Sequence, residues 1–253
     1  MPHHVPTALR AIGILAALAV TPFVPAWGGL TLAVGAIAAT WVPPRPPPAV
    51  SLFGTVVALL LGLLAVPGLF ATWPLPLLLA LGAGALAARF VPALRPALTS
   101  WRRGRPTRRD VAPALAFLAL PAVALVGWYA LAHPDLTDIA ARVPPWPLPL
   151  LVLVGLAFAA ANALAEEALF RWLAWDALEA GFARAAPVLA LQALAFGLLH
   201  FQGFPRGWSG VLLACVYGAM MGELRRRTGG LLLPWVVHVG ADLVIFAVVA
   251  SLA

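Results

Sequence analysis

The sequence predicts an all-α fold: a polytopic transmembrane helical bundle of about eight or nine spans. Three observations predict it. The first is composition. Of 253 residues, 63% are hydrophobic and only 10% charged, with a mean hydropathy of +0.97. No water-soluble domain of this length hides so much apolar surface. The second is continuity. Apolar runs fall at roughly 8–24, 26–42, 49–70, 73–91, 111–132, 147–171, 187–201, 208–224 and 231–252. A spanning helix needs about 17–25 apolar residues, and most of these runs qualify. The alternation of a membrane barrel is absent. The third is the placement of arginine, the only basic residue besides histidine. With Arg102, Arg103, Arg105, Arg108 and Arg109 inside, fourteen of the 16 arginines fall on the inner face, and only Arg142 and Arg206 fall outside. That is the bias the positive-inside rule asks for.

Taken in order, the first two runs are short, and Pro22, Pro25, Trp27, Gly28 and Gly29 suggest a tight turn between them. Nine spans put the N-terminus inside and the C-terminus outside; reading 8–42 as one broken span gives eight and makes Arg10 an exception. The first run lacks a small-residue cleavage site and is read as a retained span. Pro43 to Pro48 form an extended connector. The loop Trp101–Asp110 is the one clear internal boundary. It separates N-terminal accessory transmembrane helices, 1–110, from a C-terminal transmembrane region, 111–253. The outer loop 133–146 carries Asp135, Asp138 and Arg142 without a motif. Past Arg171 the sixth helix continues through Trp172, Trp175, Asp176 and Glu179 at the inner interface, and 181–187 reads as a turn. Thr228, Gly229 and Gly230 make a tight turn between the last two helices. There is no internal repeat. Cys215 is alone, which excludes an intrachain disulfide and a cysteine metal cluster. The net charge of +7 is a topology signal, and no nucleic-acid partner is implied.

The second half buries polar residues that the first half lacks. Each charge at a helix centre in hydrocarbon costs at least about 2.5–3.5 kcal/mol, so each needs a reason. Glu167 and Arg171 are spaced i, i+4 with the acid first, the better orientation for an ion pair. Glu166 points about 100° away from Glu167 on a helix. With residue 183 as the hairpin midpoint, Glu166 and His200 lie at equal distance from it and at equal depth. Phe196 shares the face of His200 at i−4. His238 and Asp242 are another i, i+4 pair, about two turns into the last helix. Glu223, beside Arg226 and Arg227, reads as interfacial pairing. Each feature also has a purely structural reading: a buried ion pair, a helix-end donor, an interhelical hydrogen bond. Together they supply a general base, an electrophilic stabiliser and a set of possible metal ligands.

At these residues the sequence resembles the CAAX-protease and bacteriocin-processing family of intramembrane proteases, also called the Abi family. The family pattern is EExxxR, then FxxxH, then HxxxN or HxxxD on successive core helices. Here it reads Glu166-Glu167-Ala-Leu-Phe-Arg171, Phe196-Gly-Leu-Leu-His200 and His238-Val-Gly-Ala-Asp242. The resemblance covers a core at 147–253 and places catalysis in the four C-terminal helices. It implies an intramembrane endopeptidase acting on a membrane-associated protein or peptide: CAAX-type, peptide-maturation or C-terminal sorting-signal processing. Glu166 matches the catalytic glutamate, with Glu167 and Arg171 as its supporting pair. His200 matches the histidine that helps hold the attacking water, and His238 the one assigned to the oxyanion. Asp242 stands where Asn is commoner.

Two mechanisms stay open at this stage. A glutamate type, with no cofactor, is favoured. A metalloprotease, with zinc held by His200, His238 and Glu166 or Asp242, is the alternative; no HExxH is present. The expected location is the bilayer of a bacterial cytoplasmic membrane. Intramembrane Glu, His and Asp also mark proton-coupled transporters, and a non-catalytic scaffold or immunity protein is a third reading. Against transport stand the missing repeat and the clustering of polar residues at one end of the chain.

Overall fold

The computed structural model describes residues 4–252, and the described residues form helices joined by turns and loops, with no strand. Nine long helices follow the nine apolar runs. They are α1 His4–Ala19, α2 Ala26–Trp41, α3 Pro48–Leu64, α4 Leu75–Phe90, α5 Val111–Ala132, α6 Leu148–Glu179, α7 Ala185–Leu199, α8 Gly207–Thr228 and α9 Leu232–Ala250. By length and composition five of them, α5 to α9, are long and apolar enough to cross a membrane, α7 with the turn after it; α1 to α4 are shorter apolar helices. The sequence had marked only the first two and the seventh as short.

Local chemistry explains the ends. Prolines stand in the first turn of α3, α4 and α6, where a missing N–H costs nothing. Gly229 closes α8 at φ +69°, a left-handed cap that glycine adopts without strain. The turn after α1 is a single 3₁₀ turn, Thr21–Phe23. Gly28 and Gly29 belong to α2 and not, as the sequence suggested, to that turn.

The long helices run antiparallel between two ends of the bundle, and cross-links identify each end. At one end Arg10 donates to the carbonyls of Ala39 and Val42, and Gly181 lies directly against Ala8. There the loop after Trp101 is sewn to the turn between α8 and α9. The Arg105 N–H donates to Thr228 O at 2.9 Å, Leu231 N–H to Arg102 O at 3.0 Å and Leu232 N–H to Arg103 O at 2.9 Å. Glycine is required on both strands of this seam: Gly104 has φ +85°, and a Cβ on it would lie 2.8 Å from the Cα of Gly230. At the opposite end Gln202 donates to Pro22 O, Phe23 packs on Phe201 and Trp208, and Arg206 pairs with Asp138. That pairing holds the Asp138 carboxyl below its ordinary value. The chain direction therefore gathers the arginines of the loops at the first end, with Arg142 and Arg206 at the other.

One hydrophobic core runs across the whole bundle. Ile14, Leu18, Phe53 and Leu60 belong to the same buried cluster as Leu169, Trp175 and Leu178 of α6. The accessory helices thus pack directly on the back of the helix that carries Glu166.

Candidate active site

The site grows from a change of winding in α6. From Leu148 to Glu167 the helix is α, and from Ala168 to Ala174 it is a π-helix. A π turn widens the helix and is common where function needs a displaced group. Here it contains Arg171, fully buried. The Arg171 carbonyl accepts a hydrogen bond from Arg225 Nε of α8 at 2.9 Å, and Arg225 in turn lies 3.6 Å from Asp176. The Arg171 guanidinium has three neighbours. Nη1 is 3.1 Å from Glu167 Oε1, Nη2 donates to Gly218 O at 3.2 Å, and the group lies 4.5 Å over the Phe196 ring. Gly218 O also accepts from Gln192 Nε2 at 3.0 Å.

Glu167 is shared. His238 Nδ1 lies 2.8 Å from the same Oε1, and since a carboxylate only accepts, the ring nitrogen donates. The sequence paired Glu167 with Arg171, and the structure adds His238 to the same carboxylate. α9 crosses α6 so that the Nδ1 edge of His238 meets Glu167. The i+4 spacing of Asp242 carries it to the other edge of the ring, where Oδ1 lies 3.7 Å from Nε2. Glu166 approaches the same edge, with Oε2 3.6 Å from His238 Nε2. Both separations exceed hydrogen-bond length, so the Nε2 edge faces two carboxylates without being bound to either.

His200 joins from α7. It caps that helix and donates Nδ1–H to the Phe196 carbonyl at 2.8 Å, which leaves the lone pair on Nε2. Its ring stacks on Phe196 with centroids 4.5 Å apart. Phe196 also meets His238 at 6.1 Å and Phe170 at 5.1 Å. It is the apolar floor on which the two histidines and Arg171 are placed.

The structure therefore brings together Glu166, Glu167, Arg171, Phe196, His200, His238 and Asp242. Glu223 stands apart: it is clamped by Arg226, while Arg227, expected on Glu223 as well, pairs instead with Asp110 at 3.2 Å. Among the described residues no group of three or more His, Cys, Asp or Glu is arranged to hold a metal ion. Glu167 Oε1 is shared by Arg171 and His238, and the steps proposed below use no metal.

Three residues were missed. Asn162, one turn before Glu166, donates Nδ2–H to Asp242 Oδ2 at 3.0 Å. Trp73 donates to Asn162 Oδ1 at 2.9 Å. Tyr217 of α8 packs edge-on to His238 at 5.3 Å, its hydroxyl buried without a protein partner. Asn162 carried a signal, being a polar residue at i−4 from Glu166 in an apolar run; Trp73 and Tyr217 carried none.

On the opposite flank of α6 lies an apolar pocket of about 270 Å³, lined by Leu78, Leu81 and Ala85 of α4 and by Leu164, Ala168 and Trp172 of α6.

Residues 147–244 match the family model of type II CAAX prenyl endopeptidase Rce1-like proteins. The matched stretch contains all six polar residues of the cluster named from the sequence and leaves α1 to α5 outside it. The chain matches none of the curated proteins and none of the solved structures.

Proposed function

We infer that this chain, through its Rce1-like region at 147–244, is an intramembrane endopeptidase of the CAAX-processing type, hydrolysing a peptide bond near the C-terminus of a lipid-modified, membrane-associated protein. The transporter and scaffold readings gain no support from that match. The single observation that carries the proposal is the divergent engagement of two adjacent glutamates. Glu167 is consumed by Arg171 and His238. Glu166 is buried beside His238 yet not hydrogen-bonded to it. A buried acid held beside an imidazole and not bonded to it has the placement of a general base.

In the proposed reaction a water donates one hydrogen to Glu166 and the other to His200 Nε2. Glu166 takes its proton as the water oxygen attacks the carbonyl carbon. His238, carried as imidazolium with Nδ1–H on Glu167, donates Nε2–H to the developing oxyanion. Collapse of the tetrahedral intermediate breaks the C–N bond, and Glu166 returns the proton to the leaving amine. Glu167 and Arg171 hold the ring in place and do not touch substrate. The apolar pocket beside α4 has the chemistry to receive the lipid chain of the substrate. By the positive-inside rule the arginine-rich end is cytoplasmic. Glu166 is then thirteen residues, about 20 Å, from the inner end of α6 at Glu179.

The test uses proteoliposomes and an internally quenched peptide ending in a CAAX sequence, with and without a farnesyl group. The wild type is expected to cleave the farnesylated peptide faster. Glu166→Gln, which keeps shape but cannot take the proton, is expected to lose about 10²–10⁴-fold in turnover while remaining folded in the membrane. Equal turnover by the two proteins would remove Glu166 as the base.

A further inference from the structure

The N-terminal helices lie outside the family match, yet one of their side chains is wired into the cluster. α3 and α4 have only 17 and 16 residues, so their connection, 65–74, ends part-way along α6. The 17 residues of α3 span about 26 Å, as do the 17 residues from Glu179 back to Asn162. At that level Trp73 donates its indole Nε1–H to Asn162 Oδ1 at 2.9 Å. Asn162 Nδ2–H donates to Asp242 Oδ2 at 3.0 Å, and Asp242 Oδ1 lies 3.7 Å from His238 Nε2.

The chemistry of this chain has a direction. An indole nitrogen only donates, a carboxylate only accepts, and an amide does one at each end. Trp73 therefore fixes the Asn162 amide with its oxygen away from Asp242 and its NH₂ towards it. Without the indole N–H the Asn162 oxygen is left without its donor, and the amide is held by Asp242 alone. We propose that Trp73 is a positioning residue of the active site. Through Asn162 it sets the Asp242 carboxylate against the Nε2 edge of His238, so that the accessory helices complete the catalytic apparatus of the C-terminal region. The kinetic arm of the test rests on the protease reading; the stability arm does not.

Trp73→Phe keeps the ring and removes the N–H; Trp73→His restores a donor. In proteoliposomes with the farnesylated peptide, Trp73→Phe is expected to lower kcat about 5–20-fold with KM within about twofold, and Trp73→His to recover most of the loss. Melting in detergent is measured for Trp73→Phe, Asp242→Asn and the double variant. An amide at 242 accepts either orientation of Asn162, so the loss caused by Trp73→Phe should shrink by about 3 °C or more in that background. Additive melting shifts overturn the wiring, whether or not the peptide is cleaved. Non-additive shifts with an unchanged kcat in Trp73→Phe overturn the positioning role and leave a structural contact. If the wild type fails to cleave the peptide, the substrate reading above falls, and the melting cycle alone decides whether Trp73 acts on Asp242. If Trp73→Phe does not fold, Trp73→Met, which also lacks the N–H, takes its place in both arms, and a wild-type kcat with additive melting again overturns the proposal.

Discussion

Two chemically identical residues, Glu166 and Glu167, do different work because they lie about 100° apart on one helix. That much was legible in the sequence, as was the pairing of Glu167 with Arg171. The His238–Glu167 hydrogen bond was not, because it depends on how α9 crosses α6, and no spacing within one helix reports a crossing. The bond sharpens one prediction. Glu167→Gln removes the anion that two buried groups share, so Arg171 loses its counter-charge and His238 the nearest of its three. Breaking a buried pair costs about 3–5 kcal/mol, and the expected result is a large drop in yield and melting temperature. Glu166→Gln should melt close to wild type. A stable, well-expressed Glu167→Gln protein would show that Arg171 is balanced by something else.

At the level of the element, hairpin partners and turn positions were readable. The turn after Glu179 and the glycine turn after Thr228 were both marked by residue type. The depth match of Glu166 and His200 followed from counting residues away from the turn. The π segment was not readable, because local propensity does not specify it. It is held by a contact from another helix, the Arg225 side chain on the Arg171 carbonyl. The approach of α7 to α8 depends on small residues in the same way. A Cβ on Gly218 would lie 3.2 Å from Ala193 Cα and from the Phe196 ring. Gly218→Val must push α8 outward and displace the carbonyl shared by Arg171 and Gln192. The expected loss is about 1–3 kcal/mol, read as a lower melting temperature in detergent with activity reduced alongside. A melting temperature equal to wild type would mean that the helices have slack the packing does not show.

For the whole molecule, the arginine split read from the sequence and the cross-links seen in the bundle agree on which loops share an end. Arg10 reaches 39–42, Gly181 touches Ala8, and the 102–105 segment is hydrogen-bonded to 228–232. That this loop is stitched down was not legible, since its glycine and arginines mark a boundary without naming a partner. Reporter fusions after Trp101 should read cytoplasmic and fusions after Leu252 external. A cytoplasmic C-terminus would overturn the nine-span reading of the sequence.

The shortness of α1 to α4 has a consequence for the lipid. Helices of 16 or 17 residues are about 24–26 Å long, against a hydrocarbon core of about 30 Å. A bilayer crossed by helices this short is thinned beside them, a hydrophobic mismatch. Hydrolysis inside a bilayer depends on water reaching a buried carboxylate, and a dimple in the leaflet shortens that path. Reconstitution into phosphatidylcholines of increasing chain length should therefore leave the fold intact but slow turnover once the bilayer is too stiff and thick to deform. Turnover that is flat across the series would mean that water reaches Glu166 through the protein alone.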